Sequence, residues 1–116
     1  ENIAKAYGMD AEVEYDFKYP AVINDEEFTE YVAECAREIL GEDRVEYLKE
    51  PSFGGEDMAY FLREAKGTFF ALSNPKVHEG GKIYPHHSPK FDLDESKLYM
   101  GTAIFVKVVV DYLNVK

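Results

Sequence analysis

Thr68-Phe69-Phe70-Ala71-Leu72-Ser73 is a short, nearly continuous apolar run, closed in front by Gly67 and behind by Asn74-Pro75. A run of this length without polar alternation suits a strand buried on both faces, as in a parallel or mixed sheet covered by helices. The chain offers helices to cover it. Between Glu26 and Leu40 the apolar residues Phe28, Tyr31, Val32, Cys35, Ile39 and Leu40 recur at three- and four-residue spacing, with Asn24 or Asp25 as N-cap and Gly41 as the stop. From about Glu95 to Leu113, Leu98, Ile104, Phe105, Val108, Val109 and Tyr112 cover a broad face behind Asp94, and Gly101 allows a close neighbour. A shorter helical run, Met58-Ala59-Tyr60-Phe61-Leu62, ends at Gly67. The fold class expected is α/β, a layered mixed sheet with flanking helices.

Two further strands are expected. Ala11 to Tyr19 alternates with period two, so that Val13, Tyr15, Phe17 and Tyr19 share one face while the other is almost wholly charged. Arg44-Val45-Glu46-Tyr47-Leu48 is a shorter, strand-like piece. Pro20 breaks the first strand, which makes Tyr19 to Asp25 a connector and a candidate hinge or domain crossing. Residues 1 to 8 lack an initiating Met and read as the last turns of a helix with Gly8 as its C-cap, so the chain is expected to be cut from something longer.

At 116 residues and 46% hydrophobic, the chain should form a single compact unit with a real core. Thirteen Lys and Arg against 23 Asp and Glu give a net charge of −10 without a basic cluster, which argues against nucleic acid and anionic membrane surfaces. The one cysteine, Cys35, excludes an intramolecular disulfide and fits a reducing compartment, where it should pack as a small apolar residue. With no signal peptide and no apolar run of membrane-spanning length, the expectation is a soluble, cytoplasmic protein.

Chemistry concentrates in two stretches. Tyr84-Pro85-His86-His87-Ser88-Pro89 places two of the three histidines between prolines, directly before a helix start. A loop restricted at both ends can hold an imidazole in place as a metal ligand; a surface turn with merely hydrogen-bonded histidines is the alternative. In the second stretch, Gly54-Gly55-Glu56-Asp57 opens onto the helical run at Met58, where backbone N–H groups can bind a carboxylate or other anion. A plain loop and cap accounts for it equally well. The acidic face Glu26, Glu27, Glu30, Glu34 and Glu38 reads as solvated surface.

Taken together, Gly54-Gly55-Glu56-Asp57-Met58-Ala59-Tyr60-Phe61, Gly67-Thr68-Phe69-Phe70 and His87-Ser88-Pro89-Lys90-Phe91-Asp92-Leu93-Asp94-Glu95 resemble, in order and spacing, the C-terminal part of the M20 metallopeptidase family. The resemblance is to its amidohydrolase branch of aminoacylase, hippurate-hydrolase and auxin-conjugate-hydrolase type. Tyr19 to Asp25 matches the family's crossing from a small lid domain back into the catalytic domain. The sequence departs from the pattern with Gly for Ser at position 55, Met for Phe at 58, Lys66 for Pro and Ser73 for Gly.

What the resemblance implies is a zinc-peptidase-like catalytic domain with an inserted lid. Residues 1–19 would close the lid, or dimerisation, domain with its last strand, and residues 20–116 would form the C-terminal part of the catalytic domain. Two divalent cations, Zn or Mn, would polarise the scissile carbonyl and lower the pKa of a bound water while a glutamate takes its proton. His87 falls on the family's last metal ligand, with His86 as its neighbour. A ligating imidazole must be neutral, so affinity should fall on acidification. Gly54, Gly55, Glu56 and Asp57 fall on the loop beside the substrate pocket. The implied substrate is an N-acyl amino acid or short peptide with a free carboxylate.

The family's other ligands and its general base precede the point where this chain begins, and Cys35, inside a helix, does not replace the bridging one. The chain alone should therefore be inactive and hold metal weakly, its partner being the missing N-terminal part of the enzyme. A strand at 11–19 without sheet neighbours should seek partners, giving a homo-oligomer. The competing expectation is a non-catalytic binding or dimerisation module that inherited the fold.

Overall fold

The computed structural model describes residues 1–114. Its helices are α1 (Asn2–Ala6), α2 (Glu26–Leu40), α3 (Met58–Glu64) and α4 (Leu98–Asn114). The ends of α2 and the start of α4 follow from local chemistry. Asp25 takes an extended backbone and its carboxylate accepts the Phe28 N–H at 2.9 Å, while its carbonyl accepts the Thr29 hydroxyl at 2.6 Å. Gly41, at φ 96°, ends the same helix. Asp94 accepts from the Ser96 N–H and opens a 3-10 turn, Glu95–Lys97, that runs directly into α4. Replacing Asp25 by Ala removes the cap of α2 and is expected to cost about 1 kcal/mol, measurable by urea unfolding.

The core is the seam between α2 and α4. Ile104 is 2% exposed and sits against Val32 and Ala36, ringed by Phe28, Tyr31, Ile39, Leu40, Val45, Phe70 and Val108. Cys35 is buried as a small apolar residue. Polar groups lock the seam at its margin. The Tyr31 hydroxyl donates to the Val108 carbonyl at 2.9 Å, and Lys107 bridges Asp111 on its own helix (2.7 Å) and Glu38 on α2 (2.6 Å). Those two carboxylates hold the Lys107 ammonium well above the ordinary lysine range.

The sheet expected from the sequence does not form among the described residues: the only β pairings are isolated bridges at Pro75–Leu93 and His78–Lys82. Residues 68–73 alternate instead of being buried on both faces. Phe70 meets Phe105 of α4 at 5.5 Å between ring centroids, and Leu72 lies against Gly101, whereas Phe69 and Ala71 are exposed. One face is covered by α4 and the other has no cover. The edge is engaged by a side chain: Asn24 donates to the Phe69 carbonyl (3.0 Å) and accepts its N–H (2.8 Å), and the Asp25 N–H reaches the Gly67 carbonyl at 3.0 Å.

The other two expected strands differ from expectation for the same reason. A half-buried strand needs both a ladder neighbour and an apolar cover. Residues 11–17 have neither, and Val13, Tyr15 and Phe17 are 75%, 73% and 88% exposed. Residues 45–48 follow a 3-10 turn, Glu42–Arg44; Val45 packs on the core but no strand pairs with it, and Leu48 is exposed. The expectation of a single compact unit is corrected as well. The radius of gyration is 20.3 Å over extents of 66 × 47 × 22 Å, against about 13 Å for a compact domain of this length. No helix among the described residues is long and apolar enough to cross a membrane.

Candidate metal-ligand loop and substrate loop

Residues 74–94 form a loop closed at its base. Pro75 and Leu93 make an antiparallel bridge, the Asp94 N–H donates to the Asn74 carbonyl at 2.8 Å, and the Asn74 side-chain amide donates to the Asp94 carbonyl at 3.4 Å. Higher up, the His78 N–H donates to the Lys82 carbonyl (2.8 Å) around Gly80 and Gly81, both at φ 75°. Asp92 ties the two arms together through Lys76, 2.9 Å away, and its Oδ2 lies 3.8 Å from His78 Nε2. The Lys76 ammonium holds the Asp92 carboxyl below the usual carboxylate range. His78 Nε2 is itself buried without a hydrogen-bond partner, and its ring meets Tyr84 edge-on at 5.1 Å.

The paired histidines occupy the tip. The Ser88 N–H donates to the Pro85 carbonyl at 3.2 Å, closing a β-turn with His86 and His87 at its centre. Ser88 then starts a second turn, its carbonyl accepting from the Phe91 N–H at 3.0 Å and its hydroxyl from the Lys90 N–H at 3.2 Å. The two imidazoles go different ways. His86 lies against Phe91 with centroids 4.6 Å apart. His87 is exposed and has φ 66°, the one positive φ outside glycine among the described residues. Left-handed backbone in a side-chain-bearing residue costs about 1–3 kcal/mol and persists where the surroundings hold it.

The second candidate stretch stands before α3. Gly54 and Gly55 are exposed, and Glu56 Oε1 accepts the Met58 N–H at 3.1 Å, while the side chain of Asp57 makes no cap bond. The helix start is thus served by a carboxylate of its own. That corrects the expectation of backbone donors free for an anion, because one donor and the favourable place for negative charge are taken. Gly55 lies under Tyr19, and the Tyr60 hydroxyl donates to the Lys18 carbonyl at 2.6 Å.

Gly54 to Asp57 and His87 are therefore carried by separate elements. Among the described residues no group of three or more His, Cys, Asp or Glu converges as a metal ion requires. The donor set fits one contributed ligand, an exposed imidazole on a tied loop, and does not fit a closed metal centre. Asn24, Asn74 and Asp92 were legible in the sequence as an N-cap candidate, a strand stop and a motif residue, but their bonds to Phe69, Asp94 and Lys76 join partners brought close only by folding. Tyr19 was legible as a strand residue, with nothing to indicate its contact with Gly55.

The description of peptidase family M20/M25/M40 matches residues 4–111. Thermostable carboxypeptidase 1 of Saccharolobus solfataricus is 34% identical over 97% of this chain, and a Bacillus subtilis protein described as an amidohydrolase is 32% identical over 97%. Hippurate hydrolase of Campylobacter jejuni is 24% identical over 98% of the chain. In each case the chain spans 28% of the relative's length. A crystal structure from methicillin-resistant Staphylococcus aureus, described as an aminohydrolase, superposes with a TM-score of 0.68 at 40% identity, over 97% of this chain and 28% of that one. A motif order read from the sequence, a family match over nearly the whole chain and a shared fold at that identity converge: the chain belongs to peptidase family M20/M25/M40.

Proposed function

We propose that this chain is the closing part of a metal-dependent, cytoplasmic hydrolase that cleaves the amide bond of N-acyl amino acids or short peptides bearing a free carboxylate. Residues 1–19 would end its lid domain, residues 20–116 would complete its catalytic domain, and the complete enzyme would be a homo-oligomer. The observation that carries the reading is His87, a side-chain-bearing residue in left-handed backbone, exposed at the tip of a loop whose base and arms are tied. His87 would present one neutral imidazole nitrogen to a divalent cation, and Gly54, Gly55, Glu56 and Asp57 would border the substrate. Asp92, Lys76 and the Asn74–Asp94 pair keep the loop closed, so the backbone that carries the imidazole is set before any ion arrives. The cations, when bound, would supply Lewis-acid activation of the amide.

Family membership supports the hydrolase reading, as do relatives named for carboxypeptidase and hippurate hydrolase activity. With one proposed ligand and, among the described residues, no converging acidic or imidazole partners, residues 1–116 alone are expected to give no turnover of N-acetyl or N-benzoyl amino acids and less than one equivalent of Zn or Mn after dialysis. Metal analysis and a chromatographic assay for released amino acid check both statements. Turnover by the chain alone would overturn the assignment of His87 as one member of a site completed elsewhere.

A further inference from the structure

The extended arm before Pro20 touches the rest of the molecule at one place that matters for the site. Tyr15 and Phe17 meet edge-on at 4.5 Å and are otherwise exposed, so the outer part of the arm touches only itself there. At its inner end the Tyr60 hydroxyl, from α3, donates to the Lys18 carbonyl at 2.6 Å, and the rings of Tyr19 and Tyr60 are 6.1 Å apart. A Cβ at Gly55 would stand 3.2 Å from Tyr19 Cδ2 and 3.6 Å from Cγ. Gly55 is not in left-handed backbone, so it is the tyrosine ring and not the main chain that crowds a side chain there, and a Cβ requires that ring to give way slightly.

We infer that Tyr19 and Tyr60 are positioning residues for the loop 54–57: with Gly55 they form a joint through which the placement of the arm 9–18 sets the placement of the substrate loop. The inference deepens the proposed hydrolase function and rests on it for the loop's role. It also accounts for glycine at position 55, where the resemblance leads one to expect serine. With Tyr19 lying over the loop, even the smallest side chain meets its ring, so any residue larger than glycine at position 55 displaces Tyr19. Because the joint sits where the arm meets Pro20, a rotation of the arm about the proline is delivered to Gly55 and to the first turn of α3 before it reaches anything else.

A double-mutant cycle in the complete hydrolase tests this, with melting temperatures confirming that each variant is folded. Gly55→Ala should raise KM about fivefold with kcat little changed, whereas in a Tyr19→Ala background the same change should move KM less than about twofold, the signature of residues in contact. Equal effects in the two backgrounds, or no effect in either, would overturn the joint. Hydrogen exchange at the amides of residues 54–58 reads it without activity: Tyr60→Phe, which loses only the bond to Lys18, should speed exchange several-fold. Unchanged exchange would overturn the inference. A wild-type protein that hydrolyses no N-acyl amino acid would overturn the hydrolase reading and leave the exchange experiment to decide the joint.

Discussion

Replacing His87 by alanine in the complete hydrolase is expected to remove one divalent ion per active site and to lower kcat/KM by more than about 100-fold. The magnitude follows from a comparison: losing a residue that only orients a ligand costs about 10- to 100-fold in affinity or activity, and losing the ligand itself must exceed that. Two controls separate the imidazole from the backbone that carries it. His87→Gly suits the left-handed φ of 66° better than histidine does, so it should leave the melting temperature unchanged or raised while losing the metal as fully as alanine. His86→Ala removes the ring packed on Phe91 and should retain the ion. Metal loss in His86→Ala with retention in His87→Ala would reverse the assignment within the pair.

The second large effect concerns the α2–α4 seam. Ile104→Ala should destabilise the chain by about 2–4 kcal/mol, read as a shift of the urea midpoint, because truncation of a buried Ile loses its transfer energy and leaves a cavity. The cost should be large because Ile104, at 2% exposure, is the centre on which Val32 and Ala36 converge, and few other buried side chains can close over the gap. Ile104→Val should cost about 0.5–1.5 kcal/mol. The salt dependence distinguishes this core from its margin. The Lys107 bridges to Glu38 and Asp111 weaken with ionic strength, whereas the Ile104 contribution does not.

The parts of the fold legible in the sequence were those decided within a few residues. Asp25, Gly41 and Asp94 are caps whose partners lie within one turn of helix, and α2 forms over the span that its apolar spacing and caps mark out. Strands are decided by partners distant in the chain. Residues 11–19 keep their period-two pattern yet have no ladder, so the pattern has nothing to act on. The same division runs through the candidate site. The proline-flanked histidines were readable as a presented pair, but their opposite orientations depend on Phe91 and on a turn that places only His87 at positive φ. The Asp92 tie to Lys76 spans residues that no local spacing rule connects.

The clasp of Asn24 on Phe69 has a directional consequence. In an extended chain the N–H and C=O of one residue point to the same side, and those of the next residue to the other. Asn24 takes both groups of Phe69 and the Asp25 N–H takes the carbonyl of Gly67, so the backbone groups of Gly67 and Phe69 face the start of α2. The hydrogen-bonding groups of Thr68 and Phe70 are therefore turned to the opposite edge. Over Gly67–Phe69 this segment has an occupied side, and a strand that pairs along that stretch must enter from the other one, in the register that Thr68 and Phe70 set.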